Sequence, residues 1–350
     1  MGALDQALLE LLFVHFINLT RLEAGEQAKI LTLLEQLQKD LIAILAKETL
    51  TDFGKANTNT LLREASAVIA QTYSAAQAEM AGTIAGLAQL EAKFTAGAID
   101  QVLNIRLGAG LPTEGYLRTL VSDVLIQGAP SKVWWSRQAG DVSFRFAAEV
   151  RKGLVAAETN QQIIARIVGT DTVPGVMPIA RKNAAALVQS SVQTVANESR
   201  LATFRKNADV IQGLRWLTAL DSSVCPVCAA RAEMVWDLDG NGIGNNLDFQ
   251  SPPIHWNDRC VLVPEMKTYA EMGIDLPEIP KTGQRASTDG PVPASTTFDD
   301  WFKGRTAVQQ NEQFGTGKAQ LYRDGKVSMR DMVDQRGNSL TLAQLRAKYE

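Results

Sequence analysis

Apolar residues recur at helical spacing over the first fifty positions. Ile30, Leu34, Leu37, Leu41 and Ile44 follow one another at intervals of four, three, four and three, lining one seam of a helix. Leu8, Leu11, Leu12 and His15 share a face of a preceding helix, and Gly25 is expected to separate the two. A histidine on such a face reads as a packed, hydrogen-bonded core residue. The seam itself serves either an internal core or a partner helix. After a polar break over 51–59, a second long helix is predicted from Thr60 to Ala96. Leu62, Val68, Ile69, Tyr73, Met80, Leu87 and Phe94 supply its packing face, and Gly97 its stop. Residues 1–107 are therefore expected to form an antiparallel helical hairpin or bundle.

The middle of the chain, 108–276, opens on a linker, Gly108–Thr113, and shorter helices near 114–127. Alternation over Val142–Phe146, beside Trp134 and Trp135, predicts an irregular strand or loop. The tryptophan pair fits a partner contact or, more commonly for such pairs, local core. From Ala147 a helix is predicted, then a break at Thr159–Asn160, both good N-cap types, and a second helix ending at Gly169. A long helix rich in Ala, Ser and Thr follows. Leu214–Leu220 reads as a strand and Val261–Val263 as its return strand. Residues 277–297 carry four prolines and read as a linker, extended or mobile. Residues 298–350 form a short helical tail, with Thr341 as the N-cap of its last helix. The fold class is mainly α (α+β), with one small β-element.

All three cysteines, Cys225, Cys228 and Cys260, lie within that β-element together with His255. The pattern is C-x2-C, a span of 26 residues, then H-x4-C. Two thiolates on a tight turn take one side of a tetrahedral zinc ion, and the second pair closes the other, giving a closed Cys3His site. A Cys225–Cys228 disulfide competes with zinc, although the βαβ context of a redox CxxC is missing. Buried apolar cysteines are a third reading. Within the span, Asp237, Asp239 and Asn241 fall at positions 1, 3 and 5 of an EF-hand-type calcium loop. Gly242 falls at 6 and Asp248 at 12. A Gly/Asn-rich hairpin explains the same composition.

Composition narrows the function classes. The chain has 350 residues and a net charge of −3, which argues against a sequence-independent DNA coat. Between Arg151 and Trp216, however, nine Lys/Arg meet four Asp/Glu. That excess fits packaged DNA, an acidic partner or an ordinary solvated helix face. Clustered cysteines without a disulfide framework fit a reducing cytoplasm. The apolar run Ala7–Leu19 is interrupted and too short to cross a bilayer, so no membrane role is expected. HExxH, GxSxG and Gly-rich phosphate motifs are absent, as is the H-x-E or C-x-E that zinc deaminases carry ahead of their CxxC, so no enzyme is expected.

The run W-x-T-x-x-D-x-x-V-C-x-x-C-A-A followed by PPIHWNDRC and V-x-P resembles the head morphogenesis (minor head protein) family of tailed phages. The matching positions are Trp216, Thr218, Asp221, Cys225, Cys228, Pro252, Pro253, His255, Cys260 and Pro264. Asp258-Arg259-Cys260 stands where that family commonly has C-R-C, so a fourth ligand falls to His255. The helix before the strand resembles the family through Asn197 and Arg200. The tail does so through Trp301, Gln309, Gln310, Gly315, Leu321, Gly325, Lys326, Val333, Asp334, Leu340, Thr341 and Leu345. The likeness spans roughly residues 145–350. It implies a structural part of the virion head, made in the host bacterial cytoplasm and built in during prohead assembly near the portal or the capsid interior. Portal protein, major capsid protein, scaffold and packaged DNA are the partners it implies. The alternative is a zinc-stabilised DNA-binding module.

Overall fold

The computed structural model describes residues 3–47, 55–103, 108–170, 172–277 and 283–350. It is mainly helical with a small antiparallel sheet. The helices before the sheet are α1 (Ala3–Ala46), α2 (Lys55–Leu103), α3 (Glu114–Asp123), α4 (Ser131–Val155), α5 (Asn160–Val168) and α6 (Val176–Lys206). The chain divides into two compact units, each discontinuous in sequence. One comprises 19–88 and 118–195, the other 1–18, 89–117 and 196–350.

The first unit is all helical. Ile30, Leu34, Leu37 and Leu41 are fully buried, so the seam is internal. Lys29 pairs with Glu79, and Lys47 with Glu64, which sets α1 and α2 antiparallel here. Helix α6 also runs against α1, through Gln193 to Glu23 and Arg181 to Gln38. Thr159 caps α5 in a reciprocal box with Gln162, as its sequence suggests, and Gly169 ends it. Several sequence expectations fail, among them the start of α2, which lies at Lys55 rather than Thr60. Gly25 does not break α1 and Gly97 does not end α2. An interior glycine costs a helix only about 1 kcal/mol, less than is gained by burying Ile30 and Leu34 beyond the first, or Ile99 and Leu103 beyond the second. The segment around Val142–Phe146 is not a strand but the middle of α4. Trp135, Val142, Phe146 and Val150 form its buried stripe, while Phe144 points outward.

The second unit contains the sheet. Its strands are β1 (Ile211–Leu217), β2 (Val235–Trp236), β3 (Gly242–Ile243) and β4 (Val261–Met266), in the order β3-β2-β1-β4, all antiparallel. The expected strand and its return are therefore neighbours, with Leu217 opposite Val261 and Trp216 opposite Leu262. A helix, α7 (Pro226–Arg231), lies between β1 and β2. The Pro-rich segment is not wholly a linker. β5 (Gln284–Ser287) and β6 (Gly290–Pro293) make a hairpin in which Pro291 and Pro293 are tolerated because a two-stranded ribbon has free edges. Arg285 anchors it, donating to the carbonyl oxygens of Thr218 and Thr296. Residues 278–282 of that stretch lie outside the described residues.

The tail folds as α8 (Phe298–Lys303), α9 (Ala307–Phe314), α10 (Thr316–Arg323), a 3-10 turn at Met329–Met332 and α11 (Leu342–Tyr349), capped by Thr341 as expected. Its aromatic centre stacks Phe302 on Phe314 at 4.7 Å. One apolar core joins this tail to the sheet, to the first turns of α1 and to the last turns of α2: Leu4, Leu8 and Leu12, Ile99 and Leu103, Trp216 and Trp236, Phe298 and Leu345. Among the described residues, no helix is long and apolar enough to cross a membrane.

Candidate metal centre

Cys225 is the N-cap of α7 and Pro226 its first helical residue, whose fixed φ suits that position. The Cys225 Sγ accepts from the Cys228 backbone N–H at 3.5 Å, so both sulfurs lie on one turn, on the same side. The other half of the centre is the loop before β4. There Asp258 organises the backbone: its carboxylate accepts from the N–H groups of Ile254 (2.9 Å) and Cys260 (2.8 Å). Asn257 takes a left-handed conformation, φ 61°, which lets the loop turn back on itself.

His255 donates from Nδ1 to the Trp256 carbonyl oxygen at 2.9 Å, which leaves Nε2 as the lone-pair nitrogen when the ring is neutral. That atom lies 3.3 Å from the Cys225 Sγ and 3.1 Å from the Cys228 Sγ. Sulfur and nitrogen ligands on a tetrahedral zinc ion stand about 3.5 Å apart. Cys228 belongs to two overlapping donor groups, one with Cys225 and His255, the other with Asp258 and Cys260. Within each group all ligand atoms lie within 4.8 Å of one another. Cys225, Cys228, His255, Asp258 and Cys260 thus form a cluster that can hold a metal ion. Cys228, Asp258 and Cys260 are buried, and Cys225 and His255 half-buried.

The electrostatics of the donors fit a cation. A hydrogen bond from Cys228 and another from His255 pull the Cys225 thiol down to about 4. Interaction with Cys225 and Cys260, together with burial, pushes Cys228 strongly up, and burial holds Cys260 near about 12. Beside Cys225, His255 is raised to about 9. By themselves, the protein groups therefore support one thiolate and keep two thiols protonated. A divalent cation is what lets three sulfurs ionise side by side.

The surroundings hold the donors in place. Arg259 grips Asp221 with two hydrogen bonds of 2.7 and 2.8 Å, tying the loop before α7 to the loop before β4. Gln313 of α9 donates to the carbonyl oxygens of Asp221 and Val224, fixing the approach to Cys225. Behind Cys260, its carbonyl oxygen accepts from Asn197, which in turn accepts from Arg200. Arg200 pairs with Glu91 at 2.6 Å, and the other oxygen of Glu91 meets His15 at 2.6 Å. His15 stacks on Phe94 at 3.7 Å, the packed core residue its sequence position suggested. Arg231 is fully buried, with its guanidinium over the Trp216 ring.

The second sequence motif takes a different form. The Asp237 carboxylate accepts from the N–H groups of Asp239 and Asn241 and from the Asn241 side chain, closing the turn between β2 and β3. The positive-φ glycine of that turn is Gly240, while Gly242 pairs in β3 opposite Trp236. Among the described residues, Asp237, Asp239 and Asp248 belong to no group of three converging donors. The basic excess between Arg151 and Trp216 is also partly internal: Arg166 pairs with Glu149 and Glu158, Arg200 with Glu91, and Arg215 with Glu265. Sequence reading left Asp258 and Gln313 out of the site. The first had a signal in its place two residues before Cys260, the second none. In comparisons with known proteins, no family model matches the chain, and neither does a curated protein or a solved structure.

Proposed function

We propose that this chain is a non-catalytic assembly part, a structural minor head protein of a tailed phage built around a zinc staple. Cys225, Cys228, His255 and Cys260 hold the ion, and Asp258 orients the loop that carries two of them. The observation that carries this reading is convergence. The residues that resemble the family, from Trp216 through Asp221 to Pro264, surround one donor cluster, and the tail residues Trp301, Gln310, Leu321, Val333 and Leu345 are buried in the same unit. A closed set of donors with no open position suits a structural ion rather than a reactive one. Zinc there ties α7 to the loop before β4, two segments far apart in sequence. Partners on this reading are the portal and capsid proteins, and the particle head is the location.

The DNA-binding alternative draws less support, because three of the cations that suggested it form internal ion pairs. Co-expression with portal and major capsid protein separates the two. The assembly reading expects co-purification that survives high salt; the alternative expects duplex binding that falls steeply with salt. Failure to join any prohead, with salt-sensitive DNA binding instead, overturns the first.

A further inference from the structure

The tail of the chain encloses a cleft of about 520 Å³, lined by Lys303, Arg305, Gln310, Tyr322 and Arg323 with Asp299 as its one acid. That size is within the range of small-molecule sites. The acid is already engaged from two sides, by the Lys303 ammonium and by the Tyr322 hydroxyl, which donates to it at 2.6 Å. Arg305 lies against the Trp301 ring at 4.6 Å and pairs with Asp289, while its Nε–H is buried without a partner among the described residues.

Arg323 differs from both other cations. It donates only to neutral carbonyl oxygens, those of Gln310 (3.2 Å), Asn311 (3.1 Å) and Gln320 (2.8 Å). Gln310, itself 3% exposed, is fixed by donating to the Phe302 carbonyl oxygen at 2.9 Å, so its own oxygen faces the guanidinium. These contacts orient Arg323 without cancelling its charge. They also leave two of its five N–H groups free to donate. An oriented, uncompensated guanidinium beside an ammonium is the recognition chemistry of phosphate.

We infer that this cleft is a phosphate-binding site, independent of the metal centre, with Arg323 and Lys303 as its anion-holding residues. The phosphate belongs either to a free phosphate compound or to a nucleic-acid backbone. Titration calorimetry on the full chain with pyrophosphate, repeated with a short duplex DNA as competitor, tests it. Wild type binds pyrophosphate. Arg323→Gln weakens binding about ten- to a hundredfold, the effect of losing a charged hydrogen-bond pair. Lys303→Gln, at an exposed position where folding is not at risk, weakens it by about threefold or more. Lys348→Gln, outside the cleft, leaves it unchanged. Competition by the duplex assigns the site to a nucleic-acid backbone, and its absence to a free phosphate compound. No binding by wild type, wild-type affinity in both the Lys303→Gln and Arg323→Gln variants, or tighter binding of polyglutamate than of pyrophosphate overturns the inference.

Discussion

Replacing Arg200 by methionine isolates the interaction that ties the back of the metal centre to the helical hairpin. Glu91 is 0% and Arg200 1% exposed; the guanidinium satisfies one carboxylate oxygen and His15 the other. The variant leaves a fully buried carboxylate with half its partners. Breaking a buried pair this way costs about 3–5 kcal/mol, against about 5–15 kcal/mol of total stability for a typical domain. At a urea slope of about 3 kcal/mol/M, the midpoint falls by about 1–1.7 M. Four of the six tryptophans, Trp216, Trp236, Trp256 and Trp301, belong to the unit that contains the pair, so their fluorescence follows the relevant transition. Burial raises the Glu91 carboxyl, but Arg200 and His15 outweigh it, so its folded value lies below the ordinary one. Its contribution is therefore complete above the unfolded value of about 4.3 and fades as pH falls through the folded value. The gap between variant and parent is widest near neutrality and narrows towards acid. The double variant Glu91→Leu, Arg200→Met removes both charges and recovers most of the loss. A single-variant shift below about 0.5 M, or a double variant as weak as the single, refutes the reasoning.

Further outcomes follow from the same contacts. Cys260→Ser loses the metal, and hydrogen exchange then accelerates over residues 211–266 and in the first turns of α1, because Leu4, Leu8 and Leu12 share the core of Cys260; protection of 19–88 is retained. Asp258→Asn keeps the fold but lowers zinc affinity about ten- to a hundredfold, measured by competition with a chromogenic chelator, because Asp258 orients the ligands without replacing any of them. Thr159→Ala removes one half of the capping box and destabilises α5 by about 1 kcal/mol, read as faster exchange of the amides of Gln162 and Ile163.

What the sequence disclosed divides along physical lines. The cysteine and histidine spacing located the donors because ligand chemistry is written in residue type. The β1–β4 pairing was visible as two short apolar runs. Thr159 and Gly169 marked helix ends because caps are local. The misreadings came where a short window competed with a longer one. Val142, Phe144 and Phe146 alternate like a strand, but Val142, Phe146 and Val150 also repeat every four residues, and packing on the longer pattern prevailed. Gly25 and Gly97 carry a penalty too small to stop a helix with burial on both sides. Asp258 showed in the sequence only as the residue two places before Cys260, since its role is to hold N–H groups from both ends of the loop. The Arg200–Glu91–His15 chain joins positions as far apart as 185 residues, His15 to Arg200, which no local pattern encodes.

On the proposed function, one ion held by Cys225, Cys228, His255 and Cys260 organises the sheet and its surroundings. Elemental analysis of the full-length protein, purified under reducing conditions without added metal, tests it most directly. The expected result is one zinc per chain, lost together with the sheet's exchange protection on strong chelation. A folded, fully reduced protein without bound metal, whose sheet is equally protected with and without chelator, contradicts the account.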